Sequence, residues 1–153
     1  MTILLNSCSN APPTVTLPPV ITLRPAIKLW PPDHKYHIIT IAQMVQSISD
    51  DSDGNLFNNV VIEKVTSDEP DDASRKADGT TINDIVIAGD CKSVRLRSER
   101  DGKKNGRVYS VTLRVGDSSG NVTRRDFKVS VRHDRGAPAV EDATAMTITS
   151  NCS

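Results

Sequence analysis

Four carboxylate or amide side chains crowd a single turn: Asp50, Asp51, Asp53 and Asn55 stand around Gly54. Hard cations such as calcium take about six to eight oxygen ligands, and closely spaced carboxylates in a glycine-containing turn can supply part of that shell. The spacing is not that of an EF-hand. Counted from Asp51, the sixth residue is Leu56 where that loop needs glycine, and the twelfth is Ile62 where it needs glutamate. Calcium binding therefore needs acids from elsewhere, and Asp68, Glu69, Glu99, Asp117 and Asp90 are the candidates. The competing reading is turn chemistry alone, because Asp and Asn accept left-handed geometry and bond to their own backbone.

Other reactive side chains point less sharply. His34 and His37 are three apart, so in an extended strand they face opposite ways and cannot chelate together; His34 and His133 could meet only through strand pairing. Arg95, Arg97, Arg100 and Arg107 are placed to make cross-strand pairs with Glu63, Glu99 or Asp101, which reads as a charged outer face worth little per pair. There is no GxSxG, HExxH, glycine-rich phosphate loop or CxxC, and the paired acids sit in turns with no aromatic cleft around them. A non-enzyme is expected. Cys8 and Cys152 lie in matching NSCSN and SNCS contexts at opposite ends, and a Cys8–Cys152 disulfide would tie those ends together in an exported protein. Either cysteine could instead pair with a neighbouring module. Cys91 reads as a small buried strand-end residue or a free thiol.

The elements that must position these residues are strands. Tyr109, Val111, Leu113 and Val115 alternate with Ser110, Thr112 and Arg114; Phe127, Val129 and Val131 alternate with Lys128, Ser130 and Arg132; Val94 and Leu96 alternate with Arg95 and Arg97. This period of two predicts half-buried antiparallel strands with one wet face. Tyr36–Gln43, Asn59–Thr66 and Asp84–Ala88 are further β candidates, and a helical turn is expected at most at Gln43–Ser49. Turn clusters DDSDGN, SDEPDD, ADGT, RDGKKNG and GDSSGN separate them. Prolines crowd the first 32 residues, so residues 1–27 read as a stiff linker with an edge strand at 20–24, residues 28–135 as the body, and residues 136–153 as a linker or added strand. The pattern predicts an all-β, immunoglobulin-like antiparallel β-sandwich of about seven strands. The 19 basic residues balance the 19 acidic ones and aromatics are 3%, which argues against nucleic acid or a membrane surface as partner. Apolar runs are too short for membrane insertion, and the first ten residues lack the basic region of a secretory signal.

Several separated segments carry a family resemblance: LWPPDHKYHIITI (29–41), SISDDSDGN (47–55), VIEKVTSDEPDD (61–72), VRLRSERDGKKNGRVYSVTLRVGDSSGNVT (94–123) and VSVRHD (129–134). Over residues 28–135 the chain resembles an Ig-like repeat module of large secreted bacterial proteins, with LWPPNHK, VTSNEP, LRAER, GNGRVY, DASGN and VPHD motifs. Asp33 and Arg132 depart from that pattern. Relatives often carry cysteines near the positions of Met44, Ser52 and Phe127, so the resemblance leaves Cys91 without its expected partner. It implies an extracellular or cell-surface, non-catalytic module for adhesion, spacing or display, cut from a longer exported chain. Its partners would be neighbouring domains of the parent chain, or a surface protein or glycan. Similarity to calcium-stiffened, cadherin-like sandwiches implies Ca²⁺ at strand ends. The alternative is a carbohydrate- or protein-binding accessory module of a secreted enzyme, which needs Trp30 and Tyr36 or Tyr109 exposed and coplanar.

Overall fold

Strand dominates because apolar β-branched residues recur at every second position between turn formers. In the computed structural model, which describes residues 15–71 and 81–152, 46% of those residues are strand and 5% helix. In chain order the strands are β1 (Val20–Leu23), β2 (Ile27–Leu29), β3 (Tyr36–Thr40), β4 (Val45–Asp50), β5 (Gly54–Asn55), β6 (Val61–Ser67), β7 (Ile85–Ile87), β8 (Ser93–Arg97), β9 (Arg107–Gly116), β10 (Val122–Val131) and β11 (Met146–Thr149). They form a five-stranded sheet ordered β11-β6-β9-β10-β2 and two three-stranded sheets, β1-β4-β5 and β3-β8-β7. The class is all-β and sandwich-like. The described residues form eleven strands rather than about seven, because both flanks of the body add strands and the chain breaks at Ala42 and at Asp51–Asp53.

One core joins the three sheets. It gathers Ile21 and Ile48 from the first small sheet, Ile39, Ile85, Val94 and Leu96 from the other, and Ile62, Val65, Val111, Leu113, Phe127 and Val129 from the large sheet. β10 keeps the predicted alternation, with Phe127, Val129 and Val131 buried. β9 does not. It lies between β6 and β10, and Ser110 and Thr112 on its supposedly wet face are only 6% exposed. Asp126 Oδ1 accepts a hydrogen bond from Thr112 (2.7 Å), and Glu141 of the C-terminal segment reaches both Ser110 and Lys128. Pairing is antiparallel except at β2, which runs parallel to the end of β10.

The short helix is displaced from its expected place. It covers Ile41–Met44, with Thr40 N donating to Gln43 Oε1 (2.8 Å), whereas residues 45–50 are strand β4. Val45 and Ile48 favour the pleated surface and are buried there, which overrides a helix at Gln43–Ser49.

Candidate functional site

The acidic turn after β4 is built by its own carboxylates. Asp50 Oδ2 accepts from the backbone N–H groups of Ser52 (3.1 Å) and Asp53 (2.9 Å), folding residues 51–53 back so that Gly54, at φ +68°, can start β5. Asp53 then reaches across to the β9–β10 hairpin, accepting from Ser118 N (2.6 Å) and Ser118 Oγ (2.7 Å). Asp117 organises that second hairpin: Oδ1 accepts from Ser119 N (2.9 Å) and Asn121 N (2.8 Å), and Oδ2 from Asn121 Nδ2 (2.9 Å). Desolvation pushes the Asp117 carboxyl upward, but these hydrogen bonds and the neighbouring Asp50 side chain outweigh it and hold it below the usual carboxylate range. Asp50 Oδ1 is buried. Asp51 turns outward to the leading segment and accepts from Leu17 N (3.2 Å). Asn55 Oδ1 accepts from Phe57 N (2.9 Å), so that side chain is spent on the following 3-10 turn.

The same hairpin end and the strand after it grip residues 16–21, the approach to β1 and its first residues. Asn121 Nδ2 donates to Thr16 Oγ1 (2.9 Å), Thr123 Oγ1 to the Pro19 carbonyl (2.6 Å), and Arg125 to the Ile21 carbonyl (3.2 Å). The proline-rich approach is thereby fixed to the side of β10.

Asp68, Glu69 and Glu99 do not join this group. They lie in a second, buried cluster with Asp84 and Arg107, the last only 1% exposed. Arg107 Nη1 meets Asp84 Oδ2 at 2.7 Å, Nε donates to Ser67 Oγ (2.8 Å) and Nη2 to the Glu69 carbonyl (3.0 Å). Arg97 Nε holds the other Asp84 oxygen at 3.0 Å, and Thr81 Oγ1 donates to the same atom. Asp68 receives Val108 N and Asp142 N, and Glu69 Oε2 receives Asp101 N (2.7 Å). Burial raises both the Asp68 and the Glu69 carboxyl above the ordinary range, against those backbone hydrogen bonds and the Arg107 charge. Eight of the nine sequence-predicted ligands therefore divide between two places, and the ninth, Asp90, accepts from Lys92 N (3.0 Å) in the turn before β8. Among the described residues, no group of three or more His, Cys, Asp or Glu side chains is placed to hold a metal ion.

Arg107, expected on a charged outer face, lies instead in the interior. Asp84, Ser67, the Glu69 carbonyl and the Tyr109 ring surround it, so only the density of acids around position 68 could have signalled an interior cation. Asp84 carries no local signal, since it stands at a strand start with no other acid beside it. Arg124, not the predicted arginines, pairs with Glu63, at 2.7 Å on the surface. His34, His37 and His133 face Glu99, Asp33 and Gly102 O respectively.

The cysteine pairing also differs. Cys152 is bonded to Cys91, with Cα atoms 6.3 Å apart, so the Cys8–Cys152 bridge is replaced and Cys91 is neither a free thiol nor partnerless. Cys8 lies outside the described residues. Hydrogen bonding of Ile62 N to the Cys91 carbonyl and of Ser150 N to the Glu63 carbonyl brings both cysteines to the start of β6, a convergence that sequence spacing does not reveal. Of the aromatic residues, Tyr109 is buried, Tyr36 lies under the Arg97 guanidinium at 4.0 Å, and Trp30 is 38% exposed. An aromatic platform including Tyr109 is thus excluded. Compared with protein-family models, with curated proteins and with solved structures, the chain matches none at a significant level.

Proposed function

We propose that the chain is a non-catalytic, Ig-like module of an extracellular or cell-surface protein that spaces or displays its neighbours, with Ca²⁺ stiffening the junction at its leading end. The observation that carries this reading is the fastening of residues 16–21 to Asp51, Asn121, Thr123 and Arg125. A preceding domain joined through such an approach is oriented by the sandwich instead of swinging on a free linker. The proline content of that approach adds stiffness, since each proline fixes φ and removes backbone freedom.

Calcium enters through Asp50 and Asp117. Two neighbouring carboxylates repel unless a proton or a cation lies with them, and a buried Asp50 oxygen beside Asp117 offers the hard oxygen donors that calcium prefers. Asp50 and Asp117 are the residues that would hold it, with backbone carbonyls and water completing the shell. The experiment is thermal melting of the full chain in calcium and in chelator, repeated for Asp50→Asn and Asp117→Asn. A native-state ligand at about 100 times its Kd stabilises by about 2.7 kcal/mol, so the midpoint of the parent protein rises by several degrees and that of the variants does not. An unmoved midpoint at saturating calcium removes the ion from the proposal. Free rotation of a fused preceding domain, measured by NMR relaxation, removes the spacer role.

A further inference from the structure

The C-terminal segment is held differently from the rest of the molecule. No described residue beyond Val131 belongs to the buried core, and from this stretch only Met146 packs partly against it. Val140 is 54% exposed and Ile148 36%. Three polar latches lead to β11: Val140 N on Asn105 O (3.3 Å), Glu141 on Lys128, and Asp142 N on Asp68 Oδ2 (3.1 Å). β11 itself is attached through its backbone, paired antiparallel with β6 from Met146↔Ser67 to Thr149↔Lys64, and by one covalent bond, Cys91–Cys152. β6, by contrast, is a core strand, with Ile62 and Val65 fully buried and β9 on its other side.

We infer that the outer edge of β6 is a strand-acceptor site, filled in cis by β11 and fastened by Cys91–Cys152, and that β11 of a second copy fills it once the fastener opens. The occupant is specified twice over. The unpaired backbone groups of a β edge accept an extended strand, and the cysteine beside the acceptor selects a strand that ends in its own cysteine. Residues 132–145 join β10 to β11, about 14 residues able to span roughly 45–50 Å when extended, so nothing in the connection demands the cis arrangement. Exchange of an identical element between copies conserves every contact of the closed form, which makes it a low-cost route to a dimer.

Opening is a thiol–disulfide exchange. Cys91 is 1% exposed and Cys152 is half-buried, so a dithiol reductant attacks the Cys152 sulfur as its thiolate, and Cys91 leaves as a thiolate and takes up a proton. The second thiol of the reductant then displaces the Cys152 thiolate, which is protonated, and the reductant departs as its own disulfide, having given up two electrons. Reclosure between Cys91 of one copy and Cys152 of the other passes two electrons to a small-molecule disulfide such as oxidised glutathione.

The test uses the full chain with Cys8→Ser, so that Cys91 and Cys152 are the remaining thiols. Equal amounts of ¹⁴N- and ¹⁵N-labelled protein are mixed, reduced with dithiothreitol and reoxidised with oxidised glutathione at low and at high protein concentration. The ratio of disulfide-linked dimer to monomer is expected to rise about in proportion to concentration while dimer is the minor species. Half of the Cys91–Cys152 linked peptides from the dimer should carry one label of each kind. Circular dichroism should retain the β-sheet signal in the reduced protein, and in Cys8→Ser/Cys152→Ser hydrogen exchange should quicken at residues 145–150 while β9 and β10 stay protected. Same-label linkages alone at every concentration overturn the exchange. Loss of the sheet signal on reduction, or unchanged protection at 145–150, overturns the reading of β11 as a removable occupant.

Discussion

Arg107→Met tests whether the buried ionic cluster is held by its central cation. The wild-type guanidinium is 1% exposed and serves Asp84, Ser67 and the Glu69 carbonyl at once, with Tyr109 4.6 Å from its carbon. Methionine fills most of the space and supplies none of the donors. Asp84 keeps Arg97 and Thr81, but Asp68 and Glu69 lose a positive charge that lowers both carboxyls. Removing one partner of a buried pair typically costs about 3–5 kcal/mol, because the charge left behind is uncompensated. For a domain of this size that corresponds to a fall in Tm of roughly 10–20 °C. Arg107→Lys should fall between, since an ammonium keeps the charge but cannot bridge three acceptors in a planar fork.

The assay is urea unfolding at several pH values, with Arg124→Met as the surface control. Arg124 and Glu63 meet at the same 2.7 Å distance but are 53% and 27% exposed, so that variant should lose at most about 1 kcal/mol. The pH dependence is the sharper readout. Without Arg107 the Asp68 and Glu69 carboxyls rise further, and ionising them in the folded state becomes harder. The deficit of Arg107→Met should therefore be smaller near pH 4, where these acids are protonated, and larger near pH 8. A loss below about 1 kcal/mol, or one that does not change with pH, would refute the claim that Arg107 acts by compensating interior carboxylates.

Two further outcomes follow from single residues. The folded-state values of Asp68 and Glu69 are raised, so their contribution to stability is full below the ordinary carboxyl range and is lost as pH rises through the raised values; Glu69→Gln, which mimics the protonated acid, should gain on the parent in urea midpoint between pH 4 and pH 8, and a relative loss would reverse the assignment. Gly106 has φ +95°, and a Cβ there would lie 2.7 Å from Ala139 Cβ and 2.9 Å from the Val131 carbonyl, whereas Gly120 at φ +90° faces open space. Gly120→Ala should cost about 1 kcal/mol for backbone strain alone, and Gly106→Ala clearly more; equal losses would show that Ala139 gives way freely.

What could be read from the sequence depended on whether a feature was local. Alternation along 107–115 and 125–132, and the Gly/Asp/Asn turns between runs, depend on neighbours one to four residues away, and they led to an all-β fold with β9 and β10 nearly in place. Coverage of β9 on both faces depends on Glu141, more than 30 positions from Ser110, and no period in the sequence encodes it. The acids show the same division. Asp50, Asp51 and Asp53 announce their turn because the turn is made by those very residues, and Asp117 joins them because the β4–β5 and β9–β10 turns meet in space. Asp68, Glu69 and Glu99 resemble them in composition, yet pairing of β6 with β9 sets Ser67 opposite Tyr109 and brings the first two within reach of the Arg107 charge, while Glu99 meets Arg97 at 3.9 Å. Equal charge therefore serves two arrangements: the hairpin acids accept from the turns they build, whereas the interior acids are committed to arginine. A net charge of zero is the sum of these two arrangements, and on the proposed reading calcium acts on the hairpin end while pH acts on the interior, through Asp68 and Glu69.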